Sequence, residues 1–326
     1  MYSHRPVHRV AIVGTGVIGA SWATHYLAHG FDVVATDPAP GAEEALHAYV
    51  DAAWSGAARL GPAAGASRDR LSFTADMHEA VADADFVQEN APERLELKLK
   101  LFAEIDDATP ADAIVASSSS GITMSQIQAD CRHPERTVIG HPFNPPHLIP
   151  LVEVVGGART APETIDDAMS FYAAVGKKPI RLNKELPGHV ANRLQAALYR
   201  EVVYIIEQGV LDVAAADDAI SWGPGLRWGV MGPNLLWHLG GGEGGIQHFM
   251  DHLMRPMVDD MWPALGNPQL TPELTQKIVD GVMDEAHGRS IDELAAERYE
   301  MLLGLLAVRD RHDVSSQPIA AATMPA

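Results

Sequence analysis

Arg9-Val10-Ala11-Ile12-Val13-Gly14-Thr15-Gly16-Val17-Ile18-Gly19 is the stretch whose reading decides the fold. Val10 to Val13 form a short apolar run rich in β-branched residues, as expected of a strand buried on both faces. A glycine pattern follows at once and opens into a helical periodicity over 17–29. In that strand-to-helix setting each glycine has a distinct task. Gly14 turns the chain sharply, Gly16 lets backbone amides approach a pyrophosphate, and Gly19 lets the helix pack close to the strand. The amides of Val17 and Ile18 then lie at a helix N-terminus, where unpaired N–H groups and the helix dipole favour an anion. The motif predicts a bound dinucleotide.

The second strand, 32–35, leads to Asp37, eighteen residues beyond Gly19. A carboxylate there accepts the ribose hydroxyls of an adenosine half and repels a 2′-phosphate. Pro38-Ala39-Pro40 follows, with no arginine to hold such a phosphate. The expected cofactor is NAD rather than NADP.

Farther along, strand-like runs at 71–73, 86–88, 113–116 and 137–140 alternate with helical patterns at 42–59, 77–82, 94–106 and 124–129. Two more strands, 151–155 and 179–182, flank a helix at 164–175. This alternation specifies an α/β fold with a Rossmann-type doubly wound, mostly parallel sheet. After Pro187-Gly188 the alternation stops. The chain reads as helical at 190–208, 212–221, 235–239, 245–254, 272–286 and 291–311, an all-α C-terminal domain. We expect a dinucleotide-binding domain over 1–185, a helical substrate and dimerisation domain over 186–312, and a disordered Ser/Ala/Pro-rich tail over 313–326.

With 24 Lys+Arg against 43 Asp+Glu, the formal net charge of −19 disfavours nucleic acid or an anionic membrane as a partner. The expected partner is a small molecule. A single cysteine, Cys131, rules out an internal disulfide. The lack of a signal pattern or an apolar stretch of membrane-spanning length adds to the expectation of a cytoplasmic protein. His147, His238 and His248 lack metal-ligand spacing, and no metal is expected.

Three features point to chemistry. Ser117-Ser118-Ser119-Ser120 follow a buried strand and so lie at the carboxyl edge of the sheet, where open α/β folds bind ligands. His141 ends another strand, held by prolines in His141-Pro142-Phe143-Asn144-Pro145-Pro146, and suits proton transfer near neutral pH. Glu153 is the ionisable residue in the apolar run Leu151-Val152-Glu153-Val154-Val155. A carboxylate there needs a partner, and the His141 imidazole is the obvious one.

The run of GTGVIG, QENAPERLELK, SSSSG, HPFNPPHLIPLVEVV and PGHVANRL resembles the L-3-hydroxyacyl-CoA dehydrogenase superfamily over nearly the whole chain. The resemblance implies a catalytic serine at Ser120, the histidine at His141, its glutamate at Glu153 and a helix asparagine at Asn192. It places Asn144 beside the nicotinamide and adds Glu93 and Lys98 as cofactor contacts. It also implies a homodimer joined through the helical domain.

Within that family the sequence is similar to the small-acid branch, whose members oxidise L-carnitine or L-gulonate at the 3-hydroxyl. The segment 41–70 offers only Arg59, Arg68 and Arg70 where the acyl-CoA branch carries a longer, lysine-rich insertion. L-Carnitine is the expected substrate, with L-gulonate and a 3-hydroxyacyl-CoA as alternatives. A non-catalytic, crystallin-like NAD-binding protein is the alternative from another class. Four of the six tryptophans, Trp222, Trp228, Trp237 and Trp262, fall in one part of the helical domain, and indole faces attract quaternary ammonium groups. Core or dimer-interface packing is the competing use for them. Arg193 and Arg227 offer forked donors for a carboxylate, and Phe143 joins Trp228 and Trp237 among the expected substrate contacts.

Overall fold

The computed structural model describes residues 6–312, so the tail expected at 313–326 lies outside the described residues. The chain divides into two compact units, Met1–Arg193 and Leu194–Ala326.

The first unit alternates strands and helices: β1 (Arg9–Val13), α1 (Val17–Ala28), β2 (Asp32–Thr36), α2 (Ala42–Arg59), β3 (Leu71–Phe73), α3 (Met77–Val81) and β4 (Phe86–Glu89). Then come α4 (Leu95–Ala108), β5 (Ile114–Ser117), α5 (Met124–Ile127), β6 (Thr137–Pro142), β7 (Leu151–Val155), α6 (Pro162–Ala174) and β8 (Lys178–Arg181). The eight strands form one sheet in the order β3-β2-β1-β4-β5-β6-β7-β8. Neighbouring strands pair in parallel, apart from the antiparallel β6–β7 pair.

Two apolar layers explain why the strands read as continuous hydrophobic runs. Val10 and Ile12 point to one face, with Trp22, Tyr26, Phe86 and Tyr172. Ala11 and Val13 point to the other, with Phe102, Ile105, Val115 and Met124. Side chains alternate along a strand, so a strand covered on both faces must be apolar at every position.

The second unit is helical. The helix α7 (Ala191–Glu207) runs into it and is followed by α8 (Val213–Ser221), α9 (Pro224–Trp228) and α10 (Pro233–Gly240). Short α- and π-helical turns occupy 245–264, and two longer helices span Pro272–Ala286 and Ile291–His312. Asp212 caps α8 by accepting from the Ala215 amide at 2.8 Å, and Thr271 caps the Pro272–Ala286 helix through the Leu274 amide. A small core of Val202, Val203, Ile206, Val213, Ala216 and Leu274 holds these helices. Helical stretches of this unit beyond those expected are α9 and the turns at 242–244 and 255–264. Gly223-Pro224-Gly225 signals a loop, yet Pro224 takes the first helical position, where its missing N–H costs nothing.

Candidate active site

The glycine loop fits a dinucleotide by three independent measures. Gly14 has φ +89°, open to glycine without strain. A Cβ on Gly19 would sit 1.9 Å from the Gly14 carbonyl oxygen, which is how closely α1 packs on the turn. Among the described residues, a Cβ on Gly16 would meet nothing within 4 Å, which leaves room for a ligand over the start of α1. Gly16 is the N-cap of α1 and, among the described residues, no side chain caps that end, leaving the Val17 and Ile18 amides for an anion.

Asp37 follows β2 and ties itself to this loop. One carboxylate oxygen accepts from the Thr15 amide at 2.8 Å and the other from the Ala39 amide at 2.9 Å. The first oxygen also accepts from the Thr15 hydroxyl at 3.3 Å, whereas the second keeps lone-pair capacity on a half-buried side chain, where a ribose hydroxyl could use it.

The serine loop shows why four serines stand together. Ser117 donates to Glu89 at 2.5 Å, Ser118 to Asn90 at 2.7 Å, and Ser119 to Glu93 at 2.6 Å. Among the described residues, no hydrogen bond engages the hydroxyl of Ser120, which is half-buried. The first three serines fasten the loop to the end of β4 and leave Ser120 a hydroxyl to offer.

Glu93 acts as a hub for that fastening. Its Oε1 also accepts from the amides of Gly121 at 2.8 Å and Ile122 at 3.1 Å. Burial by itself would raise the Glu93 carboxyl. The Ser119 hydroxyl, the two amides and the Lys98 cation outweigh it and hold the group below the usual carboxylate range. Lys98 is buried, and its Nζ is committed to both oxygens of Glu89, at 2.7 and 2.9 Å, and to the Ala91 carbonyl at 3.1 Å. Glu89, with no exposed surface, went unnoticed in the sequence, though a carboxylate in Phe86-Val87-Gln88-Glu89 needs a partner as much as Glu153 does.

His141 and Glu153 face each other in the β6–β7 register. His141 Nδ1 lies 2.9 Å from Glu153 Oε2, and both side chains are buried. A carboxylate only accepts, so Nδ1 carries the proton and Nε2 keeps its lone pair for a substrate. The other oxygen, Oε1, accepts from the amides of Val190 at 2.9 Å and Ala191 at 3.0 Å. Burial pushes the Glu153 carboxyl up. The His141 hydrogen bond and the two amides overcome this, and the net displacement is downward.

Asn144, exposed, precedes a cis peptide to Pro145. The loop beyond it is clamped from two sides. The His147 amide donates to Ser21 Oγ of α1 at 2.9 Å, and the buried Lys177 Nζ donates to the Pro146 and Ile149 carbonyls. Phe143 meets the His141 ring edge-on at 5.7 Å between centroids. Asn192 is half-buried at the start of α7, with the exposed Arg193 beside it. In the second unit, Trp237 stacks on Phe249 at 4.7 Å, whereas Arg227, Trp222, Trp228 and Trp262 are exposed.

This geometry agrees with what the chain is similar to. The 3-hydroxyacyl-CoA dehydrogenase NAD-binding domain family matches residues 9–186, and the C-terminal domain family of the same enzymes matches residues 188–285. An L-carnitine dehydrogenase of Streptomyces griseus subsp. griseus is 51% identical over 96% of this chain and 93% of its own length. One from a Pseudomonas species is 48% identical over 91% and 92%. Among solved structures, 5-formyl-3-hydroxy-2-methylpyridine 4-carboxylic acid 5-dehydrogenase, an NAD+-dependent dismutase, superposes with a TM-score of 0.81 at 31% identity. That match covers 94% of this chain and 99% of the other. The glycine loop, the mostly parallel sheet and these matches over both halves place the chain in the 3-hydroxyacyl-CoA dehydrogenase family of NAD-dependent oxidoreductases.

Proposed function

We propose that the protein oxidises the 3-hydroxyl of L-carnitine to the 3-oxo acid with NAD, using His141, Glu153, Ser120 and Asn192. The observation that carries the chemistry is the buried His141–Glu153 couple, with its Nε2 left free to accept a proton. NAD, held by the glycine loop and Asp37, would supply the hydride acceptor for the carbinol carbon. His141 removes the hydroxyl proton as general base, and Glu153 fixes its tautomer and offsets the positive charge that develops. Ser120 and Asn192 donate to the oxygen as it becomes a carbonyl. Asn144 would contact the nicotinamide, and Glu93 orders the serine loop.

Carnitine is favoured by relatives about half identical over nearly the full length. The arginines of the segment after β2 give little support to a CoA ligand. Arg68 is ion-paired to Asp51, and Arg70 to Asp32 at 2.7 Å. Trp228, Trp237 and Phe143 are assigned to the trimethylammonium end and the carbon skeleton, and Arg193 and Arg227 to the carboxylate.

The helical unit exposes Leu194, Leu198, Trp222, Val230, Leu235, Leu239, Met283 and Met301. Apolar exposure on this scale favours a homodimer formed through that unit, which light scattering reads directly as twice the chain mass. Among the described residues no helix is long and apolar enough to cross a membrane. We assign the protein to the cytoplasm.

The deciding experiment follows NADH formation with L-carnitine, D-carnitine, L-gulonate, 3-hydroxybutyrate and a 3-hydroxyacyl-CoA. Turnover confined to L-carnitine supports the reading. Turnover of gulonate or of the CoA ester in its place keeps the chemistry and discards the substrate.

A further inference from the structure

His189 occupies a position that a purely structural account leaves unexplained. It is 1% exposed and adopts φ +49°, in the left-handed region that a non-glycine side chain rarely enters. Its Nε2 bonds the carbonyl oxygen of Ser119 at 2.9 Å. A carbonyl cannot donate, so Nε2 carries the proton and Nδ1 holds a bare lone pair. Nδ1 is buried and, among the described residues, has no hydrogen-bond partner. A phenyl ring would fill the same volume without stranding a nitrogen, and a glycine would take the backbone turn without strain.

Three catalytic parts converge on this one residue. The Ser119 carbonyl that it holds immediately precedes Ser120. Its ring lies 5.0 Å from the His141 ring, tilted by 40°. The two amides that follow it, Val190 and Ala191, are those that donate to Glu153 Oε1. Burial, with repulsion from His141 added, holds the His189 ring below its usual range against the pull of the Ser119 carbonyl, Glu153 and Glu93. It therefore stays neutral at neutral pH and puts no second cation beside His141 as that residue takes up a proton.

We propose that His189 is a positioning residue for the oxidation: it fixes the Ser120 hydroxyl and the His141 ring relative to one another, so that one substrate oxygen meets both. The proposal rests on the assignment of His141 as base and Ser120 as donor. His189 itself touches neither the reacting carbon nor the hydride. It acts through the Ser119 carbonyl, through ring packing and through the backbone turn into α7.

The test uses the full-length enzyme with NAD and L-carnitine, comparing His189→Phe and His189→Gln. Phenylalanine keeps the ring and loses the donor; glutamine keeps a donor at about the same reach. For His189→Phe, kcat is expected to fall about 10- to 100-fold, the usual scale for misaligned reacting groups. The KM for L-carnitine and the NAD affinity should stay within about twofold, because only the transition state suffers. The primary isotope effect with L-carnitine deuterated at C3 should rise as hydride transfer becomes slower. A residue that served folding alone would lower the melting temperature without moving the isotope effect.

His189→Gln is expected to recover most of kcat and the wild-type isotope effect. If His189→Phe does not fold, His189→Gln decides alone: near-wild-type kcat supports the proposal, and a tenfold loss overturns it. Wild-type kcat and isotope effect in His189→Phe overturn it as well. His141→Ala is measured alongside. If that variant retains turnover, the base assignment fails and the proposal goes with it. If it is inactive while His189→Phe is unimpaired, only the positioning role is lost.

Discussion

His141 and Glu153 are register partners across the antiparallel β6–β7 pair, and their side chains meet at 2.9 Å. The couple is thereby set by the sheet itself rather than by a loop. Strand register fixes which residues face each other, and a slip of one residue would send Glu153 to the opposite face.

Loss of His141 should therefore remove the proton acceptor without touching the cofactor loop. His141→Ala is expected to lower kcat with L-carnitine about 100- to 10,000-fold, the scale of a general base. NAD affinity, read by titration of protein fluorescence, should not change. A variant that kept near-full turnover would remove His141 from the mechanism.

Glu153 ties stability to pH. Its folded carboxyl sits below its ordinary range, so the unfolded chain binds the proton more readily. Its contribution is full above the ordinary carboxylate value of roughly 4.3 and is lost as pH falls through the folded value. Glu153→Gln should cost roughly 1–3 kcal/mol at pH 7, and the gap to wild type should narrow on acidification. Unfolding curves of the two proteins between pH 3 and 7 check this, and a constant gap would contradict it.

Lys177 carries the opposite dependence. Burial lowers its ammonium to about 7, so folding releases a proton that the unfolded chain keeps. Stability from this site should rise with pH between about 7 and roughly 10. Lys177→Met, which removes the ammonium that sits 5.0 Å from the Trp22 ring centroid, should lack that rise. Parallel melting-temperature profiles for the two proteins across this window would count against the assignment.

The glycine loop separates binding from packing. Gly16→Ala meets open space at an ordinary φ of −60°, so the protein should fold normally. Displacing the pyrophosphate from one or two amides should weaken NAD about 10- to 100-fold, the worth of a hydrogen bond to a charged group. Gly19→Ala drives a methyl onto the Gly14 carbonyl and should cost about 1–3 kcal/mol of stability or more. Calorimetry on both variants distinguishes the two roles, and equal destabilisation would refute the distinction.

The tryptophans test the cationic end of the substrate. Trp228→Leu or Trp237→Leu should raise the KM for L-carnitine by about 2- to 30-fold, the range for a cation over an indole face. A neutral 3-hydroxy acid of similar size, used as a comparison substrate, should be little affected. Unchanged selectivity in both variants would return these indoles to packing, as the Trp237 contact with Phe249 already hints.

Most of the first unit was legible because its signals are local. The strand and glycine loop at 9–19, the carboxylate at 37 and the apolar strand holding Glu153 each state their purpose in a few adjacent residues. Resemblance was needed for Asn192 and Ser120, since a helix asparagine has no local signature and four consecutive serines look alike. Only the contacts to Glu89, Asn90 and Glu93 show that three of those serines brace the loop. Lys98 was expected at the cofactor, but its neighbour Glu89 lies in another element, and that pairing depends on the fold. His189 was passed over for the same reason: its partners, Ser119 and His141, are distant in sequence. In the second unit, dense glycine and proline hid α9, because proline at a helix start and proline in a loop are spelled alike.

Every residue assigned here to the cofactor or to proton transfer, from Gly14 to Asn192, precedes the break between Arg193 and Leu194. Of the substrate contacts proposed above, Phe143 and Arg193 precede that break, whereas Arg227, Trp228 and Trp237 follow it. On the proposed assignments, a lineage that exchanged the later stretch would keep the alcohol oxidation and replace three of the five substrate contacts. Recombination at that junction offers a direct route for redirecting such an enzyme.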